Sequence, residues 1–417
     1  MNKKSIDAIV VGAGLTGLTA ARALEAEGRS VRLFEASDGV GGRVRTDEFM
    51  GFRLDRGFQV LLTAYPEAQA QLNYSALDLR EFEPGALVRR DGRFHRVSDP
   101  FRRPGRAFAT LFAGVGSFAD KLRIARLRSR SRGGSLGDLF GASETSAIGR
   151  LHELGFSEGM IEGFFKPFHG GVSLDPNLAG SSRMLEFTFR MFSQGAAAVP
   201  ARGMGEMPAQ IAAGLAPGTL SLNSEVVAVE PGKVCLASGE TAAARSVLVA
   251  TEAPAAAALI PDLAVPASLA VTCIYFTAPA SPVGEPILVL NGERRGRINN
   301  LCVMSDASPS YAPPGEHLIS VTVLGAPEVY DEHLEAEVTA ELVEWYGEAA
   351  RSWKHLRTYR IRHALPDQRP GVLDPHEREQ HLAPGLWVAG DHRDQGSLQG
   401  ALASGRRAAN ALMASGL

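Results

Sequence analysis

The strongest constraint on the fold is a glycine-punctuated turn near the start of the chain. An apolar run from Ile6 to Val11 breaks into Gly12-Ala13-Gly14-Leu15-Thr16-Gly17, the pattern of a buried strand turning directly into a helix around a pyrophosphate. Gly12 permits the tight turn, Gly14 lets backbone approach phosphate oxygens with no Cβ between, and Gly17 lets the helix pack closely on the strand. The unpaired N–H groups and positive dipole end of that helix favour an anion. Helix formers Leu18 to Glu27 follow, Gly28 supplies a stop, and Val31 to Phe34 reads as a second strand ending on Glu35. A carboxylate there accepts hydrogen bonds from ribose hydroxyls and repels a 2′-phosphate, so the expected ligand is a dinucleotide other than NADP. A G-x-G-x-x-G turn alone is weak evidence, because such turns also arise for structural reasons. The strand, helix and acidic residue around this one give it weight.

A second glycine turn follows at once. Glu35-Ala36-Ser37-Asp38-Gly39-Val40-Gly41-Gly42-Arg43 again allows close backbone approach, and the Arg43 guanidinium can pair with phosphate oxygens. The bland alternative is a surface turn with a solvated arginine. At the far end of the chain, Leu386 to Ala389 reads as a short strand, Gly390-Asp391 ends it, and Gly396-Ser397 precedes a helical run through Leu402 to Leu412. Ser397 suits the N-cap of that helix.

On these residues the chain resembles the flavin-containing amine oxidoreductase superfamily, which includes amine oxidases, protoporphyrinogen oxidases and phytoene-desaturase-like enzymes. The resemblance continues at Gly51-Phe52-Arg53-Leu54-Asp55-Arg56-Gly57-Phe58-Gln59-Val60 and at Val199-Pro200-Ala201-Arg202-Gly203-Met204-Gly205. It implies FAD as cofactor, with the first glycine turn, Glu35 and Ala36 on the adenosine side and Gly42 and Arg43 near phosphate. It further implies that Gly57, Phe58 and Gln59 lie by the flavin ring and that Val226 holds the adenine through its backbone. Gly390 and Asp391 would reach a ribityl hydroxyl. The helix entered through Gly396, Ser397 and Leu398 would point its N-terminus at flavin N1 and the C2 carbonyl, where a helix end stabilises negative charge by about 0.3–1 kcal/mol. Two departures matter. The stretch Val271-Thr272-Cys273-Ile274-Tyr275-Phe276 aligns with a strand that often brings a lysine to the flavin in amine oxidases, and it has none. Asp391-His392-Arg393-Asp394-Gln395 lacks both the aromatic residue of an amine cage and the cysteine some members use for covalent attachment. Noncovalent FAD is therefore expected, and desaturation or dehydrogenation of an apolar molecule is favoured over amine oxidation. A flavin-free prenyl-protein escort of the same architecture is the alternative from another class.

At 417 residues the chain exceeds one ordinary core. The expected fold is α/β: a Rossmann-like FAD-binding domain with a parallel sheet, built from 1–75, 205–265 and 365–417, and an inserted mixed α+β substrate domain from 76–204 and 266–364. Strands are expected at Leu222 to Val229, Val247 to Ala250, Val271 to Phe276, Ile287 to Leu290 and Leu318 to Val323, with 76–204 rich in helix. A net charge of −3 gives no reason to propose nucleic acid. Cys235, Cys273 and Cys302, odd in number and far apart, suit reduced thiols in a cytoplasmic setting. Lys3 and Lys4 ahead of an apolar run imitate a signal peptide, but Asp7 interrupts the run and its removal would delete the first core strand.

Phe164-Phe165-Lys166-Pro167-Phe168-His169-Gly170-Gly171-Val172, with Met184, Leu185, Phe187, Phe189, Met191 and Phe192, is the densest apolar and aromatic stretch. Such residues form core more often than cavity wall, and Lys166, Phe168, His169 and Phe189 are the candidates for a substrate cavity. Arginines interleaved with apolar residues from Arg102 to Arg132 fit either a solvated helix face or peripheral contact with an anionic membrane. His376-Glu377-Arg378-Glu379-Gln380-His381 imitates a zinc-protease helix, yet its histidines would not share a face, and no metal site is expected. Gly396-Ser397-Leu398-Gln399-Gly400 does not match a nucleophile elbow. The partners expected are an apolar small molecule and an electron acceptor such as oxygen or a quinone.

Overall fold

A computed structural model describes residues 6–98, 116–293 and 295–416; the first part of the basic stretch from Arg102 onward lies outside the described residues. Its centre is a sheet in which three remote parts of the chain run parallel. Ile6–Val11 lies between Val31–Phe34 and the long strand Thr241–Val249, and Leu386–Val388 extends the sheet beyond the latter. Ala8, Ile9, Val10, Leu33, Val247, Leu248 and Val388 have no exposed surface, which is why these strands are near-continuous apolar runs. Burying each aliphatic side chain contributes about 1.5–3 kcal/mol. The registers pair Val11 with Val249 and Val249 with Val388, so three strands end at one level.

The helix Leu15–Ala26 leaves the first strand through Gly12, whose φ of +99° requires glycine. A Cβ at Gly17 would lie 2.0 Å from the Gly12 carbonyl oxygen, so the close helix-to-strand packing depends on its absence. On its other side that helix meets the last helix, Leu398–Ala414. A Cβ at Gly405 would stand 2.3 Å from the Thr16 carbonyl oxygen, and the Thr16 hydroxyl donates to the Ala401 carbonyl at 2.9 Å.

A second, seven-stranded sheet contains Gly85–Arg90, Arg93–Ser98, Ser268–Ala278, Leu288–Asn291, Asn300–Val303, His317–Leu324 and Lys354–Pro366. Its pairings are antiparallel except that of Leu288–Asn291 with Gly85–Arg90. The helix Asp331–Tyr346 covers one face with Leu334, Val338 and Leu342, a stripe at helical spacing packed with Ile274, Phe276 and Val321.

One expectation shifts. The alternating run from Leu222 becomes strand only at Val226, because Asn223 adopts a left-handed φ of 48° while the Asn223 and Ser224 N–H groups donate to the Ser37 and Glu35 carbonyls. The last helix, by contrast, starts at Leu398 directly after Ser397, the expected N-cap, whose hydroxyl accepts from the Gly400 N–H at 3.0 Å. The segment 76–204 holds the helices expected of it and also the strands Leu79–Glu81 and Ala197–Pro200, together with the Gly85–Arg90 hairpin.

Asp55 ties the hairpin of Thr46–Phe49 and Phe52–Asp55 to the second sheet. Its buried carboxylate accepts from the Thr46 hydroxyl, the Met204 N–H at 2.9 Å and the Tyr311 hydroxyl at 2.7 Å, while the Tyr275 hydroxyl donates to its backbone carbonyl at 2.8 Å. Burial pushes the carboxyl up to about 6 despite these donors. A raised folded-state value means that the stabilisation is full below the ordinary carboxylate range and is lost as pH rises through about 6. The stability of the protein relative to Asp55→Asn should therefore fall by roughly 2–3 kcal/mol between about pH 4 and pH 7, read by urea unfolding at stepped pH. A flat difference would show that Asp55 keeps one protonation state.

Candidate active site

The turns that follow the three parallel strands open into a single cleft of about 640 Å³. Gly12, Gly14, Leu15 and Thr16 line it from the amino-terminal side, and Gly390, Asp391, Gly396, Ser397 and Leu398 from the carboxyl-terminal side. Ligands in open parallel sheets sit outside the carboxyl ends of the strands, where these loops diverge.

The two glycine turns are stitched together. The Gly41 N–H donates to the Ala13 carbonyl at 2.8 Å, and a Cβ on Gly42 would stand 3.6 Å from the Gly14 Cα. Gly41 has φ +113°, and a side chain there would lie 2.2 Å from the Val44 carbonyl oxygen. A Cβ on Gly14 would meet nothing within 4 Å, so at this point bare backbone faces the cleft. Glu35 organises the same loop: its Oε2 accepts from the Ala13 N–H at 2.7 Å, and its Oε1 from the Ser37 N–H at 2.9 Å and the Ser37 hydroxyl at 2.7 Å. A carboxylate has lone pairs beyond these, so Glu35 both fixes the turn and retains acceptor capacity for a ribose.

Arg43 spans the cleft. It donates to the Ala364 carbonyl and to Asp391 Oδ2, both at 2.8 Å. The Asp391 side chain is 6% exposed and the Arg43 side chain 27%, so one charge is desolvated and its partner half-open, a geometry in which a charge-assisted bond holds two loops in place. Gln59 Nε2 donates to the Arg43 carbonyl at 2.9 Å, leaving its Oε1 without a partner. Thr251, just past the strand Thr241–Val249, also has an unpartnered hydroxyl on the cleft wall beside Gly12. The residues present fit a flavin dinucleotide: two bare glycine turns, a ribose-facing carboxylate, a guanidinium, unspent polar atoms and a capped helix N-terminus converge on one space.

Away from the glycine turns the wall changes character, with Phe58, Phe168, Phe187, Phe192, Leu288 and Ile361 among its residues. Its polar members include His169 and Asn300, both buried. Of the sequence-based candidates, Ala36, Gly42, Gly57, Phe58, Gln59, Phe168 and His169 line the cleft as well. Ala13 and Gly17 lie behind it, in the turn and the helix packing. Val226 is outside it, on a strand paired to Leu236 at the sheet's far edge. Lys166 is turned into an ion pair with Glu162 at 2.7 Å, and Phe189 packs on Phe165 and Phe168 within the core. Sequence reasoning missed Thr251, Asn300 and the stretch Ile361, Ala364, Pro366 and Gln368. The position of Thr251 at the end of a parallel strand could have revealed it; the others come from the second sheet or, for Gln368, from the loop just past its strand Lys354–Pro366, and carry no local signal. Among the described residues no group of three or more His, Cys, Asp or Glu side chains is placed to hold a metal ion.

Because Arg43 and Asp391 act as one unit, Arg43→Ala and Asp391→Ala should each weaken FAD retention, and the double variant should lose less than the sum, with a coupling of about 1–3 kcal/mol in a double-mutant cycle of flavin dissociation constants. Additive losses would show that the two side chains contact the cofactor separately. Glu35→Ala should loosen flavin more than Lys166→Ala, measured by flavin fluorescence on dilution; equal losses would detach Glu35 from the ribose.

A family model described as flavin containing amine oxidoreductase matches residues 15–413. The chain is 28% identical over 171 residues to protoporphyrinogen oxidase 2, chloroplastic/mitochondrial, of Arabidopsis thaliana, covering 40% of this chain and 33% of that protein. It is 40% identical over 65 residues to hydroxysqualene dehydroxylase of Zymomonas mobilis, covering 15% of this chain and 16% of the relative. The match thus spans a third or less of these curated relatives. Among solved structures, an oxidoreductase from Methanosarcina mazei superposes with a TM-score of 0.73 at 19% identity over 98% of this chain and 100% of its own. Cyclohexylamine oxidase from Brevibacterium oxydans does so with a TM-score of 0.72 at 18% identity over 99% of each. At such identities the likeness is one of fold. The family model, in contrast, takes in the second glycine turn, the Gly390-Asp391 turn and nearly everything between, and on that ground the chain belongs to the flavin-containing amine oxidoreductase family.

Proposed function

We propose that the protein is an FAD-dependent oxidoreductase that removes hydride from a C–H bond of an apolar small molecule, desaturating or dehydrogenating it. The observation that carries this reading is the single cleft whose one half is built of bare glycine turns, Glu35 and a capped helix end, and whose other half is walled by aromatic and aliphatic side chains. When bound, FAD supplies two-electron acceptance from carbon and passes the electrons on to oxygen or a quinone. The protein's share is to bind, orient and exclude water. The N-terminus of Leu398–Ala414 would favour negative charge on the reduced ring, and the apolar wall would keep the reacting carbon dry.

Noncovalent attachment is supported by the cysteines: none of the three lines the cleft, and Cys273 is fully buried with Sγ 3.3 Å from the Ser320 hydroxyl. Burial pushes that thiol up to about 11, away from the reactive thiolate. Cys273 also stands in the stretch Val271–Phe276, which has no lysine to direct at a flavin, and this favours carbon oxidation. We read the chain as two parts divided as the sequence suggests, one carrying the dinucleotide and one the substrate, and place the protein in the cytoplasm. No helix among the described residues is long and apolar enough to cross a membrane. Phe118 and Leu122, 65% and 61% exposed one turn apart on the arginine-rich helix Phe118–Arg132, favour peripheral contact with an anionic bilayer.

Amine oxidation is the second reading, favoured by the fold shared with cyclohexylamine oxidase. Anaerobic mixing of the yellow holoprotein with panels of polyenes, porphyrinogens and amines separates the two. Bleaching by an apolar polyene or porphyrinogen is expected; bleaching by amines alone would overturn the proposal. Colourless protein that refuses added FAD would favour the escort reading instead.

A further inference from the structure

Resting on that reading, the cleft carries one more piece of information about what it holds. His169 lies in the helix Lys166–Ser173, is 2% exposed and lines the cleft among Phe168, Val172 and Phe192. Its Nδ1 is sealed from solvent without a hydrogen-bond partner, so Nε2 is the ring nitrogen left to the cleft. Two polar neighbours on this wall, Asn300 and Ser173, spend their bonds inside the protein. Asn300 Oδ1 accepts from Asn299 at 2.9 Å and its Nδ2 donates to Thr322 at 3.1 Å, while the Ser173 hydroxyl donates to the His169 carbonyl at 2.8 Å.

The imidazole is also rigidly mounted. Asn299 Nδ2 donates to the Pro167 carbonyl at 3.0 Å, and Gly171 lets the helix sit so close that a Cβ there would lie 2.8 Å from that amide nitrogen. A five-residue π turn, Ile161–Phe165, precedes the helix and sets which residues face the cleft. Burial lowers the imidazole to about 4, with the Asp175 carboxylate opposing this only in part, so the ring is neutral and carries a single N–H. Placing that proton on Nδ1 would bury a donor with no acceptor, a rarer and costlier arrangement than an unmatched lone pair. The proton therefore belongs on Nε2.

We propose that His169 is a substrate-positioning residue whose Nε2–H donates to an uncharged acceptor oxygen (hydroxyl, carbonyl or ether) on an otherwise apolar substrate. A pure hydrocarbon leaves this donor unmatched, and an ammonium brings only further donors. The substrate class is thus an oxygen-bearing lipid-like molecule.

Farnesol, farnesane and farnesylamine share one carbon skeleton and differ in the terminal group, and each can be titrated into FAD-loaded protein while the flavin absorption is followed. Farnesol is expected to bind about 5–30-fold tighter than farnesane or farnesylamine, the worth of one hydrogen bond in a dry site. His169→Leu should remove that advantage while leaving farnesane and FAD binding unchanged, and His169→Asn, which keeps a polar group on the same stem, should restore part of it. Equal binding of farnesol and farnesane, or a parallel loss of both in His169→Leu, overturns this inference alone. If none of the three compounds perturbs the flavin of the yellow protein, the apolar-substrate reading falls and takes this one with it. Should the leucine variant not fold, nitrogen NMR of histidine-labelled wild type decides: a neutral Nε2–H tautomer that shifts on adding farnesol supports the assignment, and an Nδ1–H tautomer overturns it.

Discussion

The cleft exists because the first and last helices touch backbone to backbone. At Gly405 there is no room for a methyl group against the Thr16 carbonyl, and the Thr16 hydroxyl closes the contact on the Ala401 carbonyl. Leu402, Ala408, Ala409 and Leu412 are buried in the same core as Leu18, Ala21 and Leu24, so small residues set the approach and larger ones hold it. With the helices locked at that distance, the strands they follow end in register at Val11, Val249 and Val388. The loops beyond those ends have no choice but to face one another.

Electrostatics then fixes the loops. Arg43 and Asp391, 348 positions apart, meet across the cleft, and Glu35 ties the Ala13 and Ser37 amides into a single turn. Each of these charges has a structural partner and faces the cleft as well, so the site is organised by the same groups that would contact a ligand. That is an economical way to pre-organise binding, because the side chains are ordered before any ligand arrives. Asp55 does comparable work further out, holding the Met204 amide and the Tyr311 hydroxyl through one carboxylate.

Much of the dinucleotide half was legible in the sequence because its signals are local. A glycine at a positive φ, an acid at a strand end and a serine before a helix each act within a few residues, and Gly12, Glu35 and Ser397 stand where such signals put them. Alternation misled at Leu222, where a left-handed Asn223 turns the chain across the Glu35 loop before the strand begins at Val226. The far half resisted for a different reason. Aromatic spacing around Phe164 to Phe192 does not say which residues face inward once a π turn has reset the helical phase, so Phe168 and His169 line the cleft while Lys166 and Phe189 turn elsewhere. Asn300 and Ile361 reach the wall through strands of another sheet, a placement only tertiary packing decides.

The order of strands in the central sheet has a consequence for how the protein is made. The strand Leu386–Val388 and the helix Leu398–Ala414 pack against elements more than a hundred positions earlier in the chain, and such long-range pairings form late. During synthesis the nascent amino-terminal fold would present a half-built edge and an uncovered apolar helix until the carboxyl-terminal segment leaves the ribosome. The half of the cleft built around Gly12 and Glu35 is thus closed only when the strand Leu386–Val388 and the helix Leu398–Ala414 have docked on it.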